Sequence, residues 1–336
     1  MYPMKLAPAY KDYLWGGHEL ERLFGKAGDG DCTAESWELS CHPDGKSTVR
    51  NGAFKGKTLE EVLDQFPEYV SHKFQPEDKF PILIKFIDAK ENLSIQVHPS
   101  DETAKSELGE QGKAEMWYVL AAKPHAFLYY GLNREVSKEE LEQKMQDGSI
   151  PQILNKVEVN EGDCFFIHPG TIHAIGAGVV IAEIQQSSNT TFRVYDYLRK
   201  DKNGNYRELH VERGVEVIDR TPIVPSQVFD NNEVSLKHGR IRRLFECDYF
   251  CVNKIDCENG KIKLWCDKSS FQSLLIVKGN GYLEYKGRRY DFKAGDSIFV
   301  PAGFGEYYIH GNNEILMSKL LSLIHISEPT RHLRIS

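Results

Sequence analysis

No stretch of the 336-residue chain approaches the roughly 20 consecutive apolar residues that a membrane-spanning helix needs. No basic run offsets a formal net charge of −7, which argues against a nucleic-acid or anionic-membrane partner. Met1 to Trp15 has no apolar core flanked by positive charge, so a secretory signal is not expected. Cysteine is sparse, with seven residues in the chain, an odd number that never forms Cys-x-x-Cys. A disulfide framework is therefore not expected, and a reduced, cytoplasmic protein is. Cys247 and Cys251 could join a metal site only with two further clustered ligands, which the sequence does not supply.

What is present is ordinary for a globular protein: 40% hydrophobic and 27% charged residues, in a chain long enough for about two domains. Short runs rich in β-branched and aromatic residues, bounded by turn formers, predict strands. They cover Phe80 to Phe86, Met116 to Leu120, Ala126 to Tyr130, Asp163 to Ile167, Val179 to Gln185, Leu274 to Val277 and Ser297 to Val300. Helices are fewer. Capping boxes at Thr58-Leu59-Glu60-Glu61 and Ser137-Lys138-Glu139-Glu140 predict helices running toward Tyr69 and toward Gln146, the second ended by Gly148. Many short strands with few helices imply a mainly β protein, a barrel or jelly roll with helical decoration.

The segment Gly162 to His173 recurs in outline at Gly295 to Glu306. Each copy has a Gly-Asp turn, a short apolar strand, a Pro/Gly turn and then a polar residue, which implies two related β units. The first unit carries a candidate ligand set. Gln96 and His98 are two apart in an apolar run and so share a strand face. Glu115 opens the next apolar run, and His173 follows the Gly/Pro turn. An amide oxygen, two imidazoles and a carboxylate suit a divalent metal, Zn2+ first. The second copy has Glu306 in place of His173, no counterpart of His98, and only Gln272 near the Glu115 position. A metal is therefore expected in the first unit alone.

Leu321 to Ser336 departs from the pattern and reads like a translated sequencing adapter; a non-native tail is expected there.

Leu93-Ser94-Ile95-Gln96-Val97-His98-Pro99 and Lys113-Ala114-Glu115-Met116 resemble the type I mannose-6-phosphate isomerases, members of the cupin superfamily. Trp15-Gly16-Gly17 and Ala34-Glu35-Ser36-Trp37-Glu38 add to the likeness, which runs over nearly all of residues 1 to 320. The short interval from Glu115 to His173 matches the compact bacterial form. The resemblance implies two cupin units: a catalytic one over 1–225 with helical decoration and a metal-free one over 226–320. It implies interconversion of mannose 6-phosphate and fructose 6-phosphate through a cis-enediol, with one Zn2+ held by Gln96, His98, Glu115 and His173. By position, Arg193 resembles the family's active-site arginine, Lys85 and Ser94 match residues associated with the substrate phosphate, and Lys113 and Glu183 match polar residues of the pocket. The sequence departs from the pattern twice. Ala114 follows Lys113 where proline is usual, and Asn189 stands where longer members carry an acidic residue.

The residue chemistry is consistent with that expectation. Moving a proton between C2 and C1 of a hydroxy-aldehyde needs a base and a group that meets the enediolate charge, such as a metal or an arginine. Lys85 lies in an apolar run and needs a partner, either a substrate phosphate or a neighbouring carboxylate such as Glu38 or Asp88. Lys113 is a candidate acid/base or a flank of the metal carboxylate, and Glu183 a pocket carboxylate that could orient Arg193. His168 reads as structural, and Trp15, Trp37 and Trp117 as core, with Trp117 near the pocket. Two rival readings are a metal-dependent cupin oxidoreductase or dioxygenase and a non-catalytic sugar-binding cupin. The partner expected is a small sugar phosphate. Oligomeric state is left open, and a monomer is compatible.

Overall fold

The computed structural model describes residues 1–201, 203–226 and 232–321; the expected non-native tail lies outside them beyond Leu321. Among the described residues the strands form three sheets. A six-stranded sheet runs in the order Cys164–Ile167, Glu115–Ala122, Val179–Gln186, Ile82–Ala89, Glu35–Leu39, Ala9–Lys11. It faces a five-stranded sheet in the order Phe192–Tyr195, Ile95–Val97, His173–Ile175, Phe127–Leu132, Leu154–Glu158. All recorded pairings in these two sheets are antiparallel, and together they form the first jelly-roll barrel. The third sheet has nine strands, dominated by three long ones, Phe250–Cys266, Gln272–Tyr285 and Gly305–Leu320. Met4–Ala7 and Thr48–Val49 also join it, Met4–Ala7 pairing with Ser297–Val300. The chain therefore begins in the sheet of the second unit and returns to it at the end.

The strand Val179–Gln186 is buried at every position, because both faces of its sheet are covered. Ile181 packs inside the first barrel with Trp117, Val119 and Leu128. Ala182 and Ile184 point the other way, into a core shared with Phe250, Val252, Leu275 and Phe299 of the second unit. The second unit closes on its own interior of Ile255, Leu274, Ile276, Tyr307 and Ile315. The helices Lys138–Gln146 and Val211–Val217 lie over the outer face of the five-stranded sheet.

Both capping signals mark helix starts. Thr58 and Glu61 form the reciprocal box before Leu59–Gln65, and a 3-10 turn Pro67–Tyr69 completes that segment. Ser137 accepts from Glu140 N at the head of Lys138–Gln146. Three further helices, Glu19–Phe24, Asp101–Leu108 and Val211–Val217, were not expected. They are short and carry little apolar periodicity for sequence reasoning to find. Among the described residues no helix is long and apolar enough to cross a membrane.

One ion pair is buried on the inter-unit face. Lys26 Nζ lies 2.8 Å from Glu38 Oε1 and 5.6 Å from the Phe86 ring centroid. Burial pushes the Glu38 carboxyl up, against the pull of Lys26. Removing one partner of such a pair leaves an uncompensated buried charge. Lys26→Met is expected to cost about 3–5 kcal/mol in urea unfolding, and Lys26→Met with Glu38→Gln less than Lys26→Met alone. Equal stability of Lys26→Met and the parent protein would refute this.

Candidate active site

The site is built by strand register. Across the six-stranded sheet Trp37, Lys85, Glu183 and Trp117 are directly opposed in one row, so their side chains share the face that looks into the barrel. Across the five-stranded sheet His173, Gln96 and Arg193 form a facing row. Ser94 and His98 flank Gln96 at two-residue spacing, and Ser94 Oγ donates to Gln96 Oε1 at 3.4 Å.

His98, Glu115 and His173 bring one donor atom each to within 4.8 Å of one another. They are 1%, 0% and 0% exposed. The Nδ1–H of His98 donates to Thr190 O at 2.9 Å and that of His173 to Thr171 O at 2.8 Å. Both rings therefore turn an Nε2 lone pair inward, the arrangement a metal ligand needs. His98 Nε2 lies 3.5 Å from Glu115 Oε2, and His173 Nε2 lies 3.3 Å from Glu115 Oε1. Neither Glu115 oxygen accepts a well-directed hydrogen bond, and His173 Nε2 has no partner. Lys113 Nζ supplies one cationic neighbour, 2.7 Å from Glu115 Oε2 and 3.0 Å from His98 Nε2. Buried acceptors that converge on acceptors require a cation between them. The donor set thus fits a metal ion, with the Gln96 amide on the same sheet face.

The electrostatics agree. Burial and the Lys113 ammonium push the His98 imidazole down to about 3, and burial lowers His173, so both rings are neutral. Burial alone would raise Glu115, but the Lys113 ammonium outweighs it and holds the carboxyl well below the usual range.

Lys85 has partners other than those considered from sequence. Its Nζ lies 3.6 Å from Glu35, 3.4 Å from Glu183 and 5.0 Å from the Trp37 ring centroid. Glu38 pairs instead with Lys26, and Asp88 accepts from Glu19 N at 2.7 Å. Strand alternation explains the correction: Glu35 and Trp37 face the pocket, while Glu38 faces the second unit. Burial works against the charge on Lys85, yet Glu35 and Glu183 raise its pKa above the ordinary lysine value.

Glu183 accepts from Trp117 Nε1 at 2.9 Å and lies 3.9 Å from Lys113 Nζ. Its recorded partners are Trp117, Lys85 and Lys113 rather than Arg193. Burial and then the Glu115 charge push its carboxyl up. Arg193 is positioned by Glu208 O, to which Nη1 donates at 2.9 Å, while its Nε is buried without a partner. Burial and nearby Arg207 lower its pKa. His168 stands apart from the donor cluster, edge-on to Phe166.

Sequence reasoning missed two participants and one surface contact. Glu35 and Trp37 line the pocket, linked by Trp37 Nε1 donating to Glu35 Oε2 at 2.6 Å; their two-residue spacing was the available signal. Asp44 was invisible. Asn189, which stands where longer members carry an acidic residue, donates to Asp44 Oδ2 at 2.7 Å in an exposed contact across 145 residues.

In the second unit Glu306 faces outward, paired with Lys263 at 2.8 Å. Tyr307 and Gln272 face inward and bond to each other at 2.7 Å.

Two family descriptions match the chain: phosphomannose isomerase type I, catalytic domain, over residues 4–127, and mannose-6-phosphate isomerase, cupin domain, over residues 240–320. The mannose-6-phosphate isomerase ManA of Bacillus subtilis is 39% identical over 321 residues, which cover 95% of this chain and 99% of that protein. The crystal structure of the mannose 6-phosphate isomerase from Bacillus subtilis aligns with a TM-score of 0.88 at 35% identity, over 95% of this chain and 99% of the other. A zinc-bound mannose 6-phosphate isomerase shares the fold at 18% identity and a TM-score of 0.75, over 95% of this chain and 100% of its own. With its two cupin units and its buried donor set, the chain belongs to the type I phosphomannose isomerase family.

Proposed function

We propose that the chain is a zinc-dependent aldose–ketose isomerase that interconverts mannose 6-phosphate and fructose 6-phosphate through a cis-enediol. The observation that carries this reading is the convergence of three buried lone-pair donors beside Arg193, in a member of this family. Gln96, His98, Glu115 and His173 would hold one Zn2+ per chain. Bound there, zinc would supply Lewis-acid polarisation of a sugar oxygen without redox chemistry.

The protein's own groups account for the rest. A cis-enediol presents C1 and C2 on one face, so a single positioned group can take the proton and return it. Glu183 and Lys113 are the candidates. A carboxyl raised by burial suits a group that must both accept and release a proton near neutral pH, and Glu183 Oε1 is buried with no hydrogen-bond donor. Arg193 would meet negative charge developing on the enediolate oxygens with a fixed guanidinium. Lys85 and Ser94 remain the proposed contacts to the substrate phosphate. Because Glu35 and Glu183 already flank Lys85, part of its charge is compensated before substrate arrives. The seven cysteines are all free, which supports a reducing compartment, the cytoplasm.

Two outcomes are expected. Dialysis against a chelator should abolish turnover of mannose 6-phosphate in a coupled assay. Stoichiometric Zn2+ should restore it and raise the melting temperature, since the ion binds the folded state; activity persisting in protein shown metal-free by elemental analysis would refute the mechanism. Arg193→Ala should fold and retain metal but lose about 10²–10³-fold in kcat, the usual loss of a charge-stabilising donor. An unchanged kcat would remove Arg193 from the catalytic group.

A further inference from the structure

The segment Gly112-Lys113-Ala114 carries Lys113 into the pocket and leads directly into Glu115. Every backbone N–H in it is committed. Gly112 N donates to Asp101 Oδ1 at 2.8 Å, Lys113 N to Pro99 O at 3.1 Å and Ala114 N to Gln186 Oε1 at 2.9 Å. Gln186 returns a backbone bond to Ala114 O at 3.1 Å, and its Nε2 donates to Asp101 Oδ1 at 3.2 Å. A side chain at position 112 has no room, because a Cβ would sit 2.5 Å from Asp101 N. The Ala114 bond depends on this residue type, since a proline there would have no N–H to give.

Asp101 is the junction of this network, and its other oxygen is held from outside the first barrel. Tyr249 OH donates to Asp101 Oδ2 at 2.9 Å. Tyr249 directly precedes the strand Phe250–Cys266 of the second unit. A half-buried carboxylate turns easily about its last torsion. The tyrosine fixes that torsion so that Oδ1 stays with Gly112 and Gln186. The bond is charge-assisted, and so stronger than a neutral one.

We propose that Tyr249 is a positioning residue for the active site, acting through Asp101 and Gln186 on the Gly112–Ala114 segment and thus on the placement of Lys113. The second unit, beyond covering the back of the catalytic sheet, sets the geometry of a pocket it does not line. This rests on the isomerase reading of the pocket, in which small displacements of an acting group cost rate rather than binding.

The test is Tyr249→Phe, which removes one oxygen and keeps the ring. Lys278→Ala serves as the control. Lys278 makes another inter-unit tie, to Glu161, on a part of the interface that does not touch the Asp101 junction. With metal content and melting temperature unchanged, Tyr249→Phe should lower kcat about tenfold while KM moves less than about twofold. Lys278→Ala should keep parental kcat. Hydrogen exchange of the Gly112 and Ala114 amides should quicken in Tyr249→Phe and not in Lys278→Ala. Parental kcat in Tyr249→Phe, an equal fall in Lys278→Ala, or unchanged exchange at those two amides would each overturn the proposal. The exchange measurement needs no substrate, so a parent protein inactive on mannose 6-phosphate would count against the isomerase reading alone.

Discussion

Glu35, Lys85, Lys113, Glu115 and Glu183 lie inside one barrel, each at most 8% exposed. Withdrawing such groups from water costs several kcal/mol apiece unless opposite charge is close at hand. Their arrangement follows from that constraint. Lys85 is lodged between Glu35 and Glu183, and Lys113 reaches Glu115 and Glu183. Two ammonium groups facing three carboxylates leave one negative charge uncompensated. Lys113 sits against Glu115, so the remaining charge is shared by Glu35 and Glu183 around Lys85, beside the point where the two histidine lone pairs converge on Glu115. A divalent cation at that point would satisfy the charge and all three lone pairs together, and the pocket would then carry a net positive charge suited to an anionic substrate. The buried His98, Glu115 and His173 donors, the lysines and the flanking tryptophans are thus parts of one electrostatic solution.

That solution holds because strand register is rigid. Lys85, Glu183 and Trp117 are direct cross-strand neighbours, and a slip of one residue would turn each to the inter-unit face. Register is fixed from both sides. Val119 and Ile181 fill the barrel, while Met116, Ala182 and Ile184 are gripped by Phe250, Leu275 and Phe299. The second unit is therefore part of what specifies the first. The chain's opening strand Met4–Ala7 pairs with Ser297–Val300, which makes the two units difficult to separate as folding bodies. A division at residue 225 describes the chain's connection between units but does not divide the sheets.

The parts of this site that were legible in the sequence share a physical reason. Gln96, His98, Glu115 and His173 stand out because polar residues at strand spacing within apolar runs must face something polar. Alternation alone also separates Glu35 from Glu38, and applying it to Ala34 to Glu38 would have identified the Lys85 partner. What stayed hidden depends on contacts between distant segments. Nothing local in Asp44 signals that Asn189 will reach it, nor in Tyr249 that it will reach Asp101, 148 residues away. The repeat in the second unit was legible as a repeat but not in its detail. Glu306 aligns with His173 by count, yet alternation turns it outward and puts Tyr307 inside.

That difference in the second barrel bears on how one fold serves two purposes. The Tyr307 hydroxyl satisfies Gln272 Oε1, and Gln272 Nε2 donates to Trp265 O at 3.0 Å. The amide has its needs met by protein groups, so the interior closes as an apolar core. In the first barrel the corresponding space is lined by acceptors that no protein donor fully satisfies. A core that satisfies its own polar groups gives stability, whereas a core that leaves acceptors unmatched gives up stability for a site. Joining the two back to back lets the second unit provide the apolar grip that holds the first in register, and that grip is what allows so much charge to be buried in the first barrel.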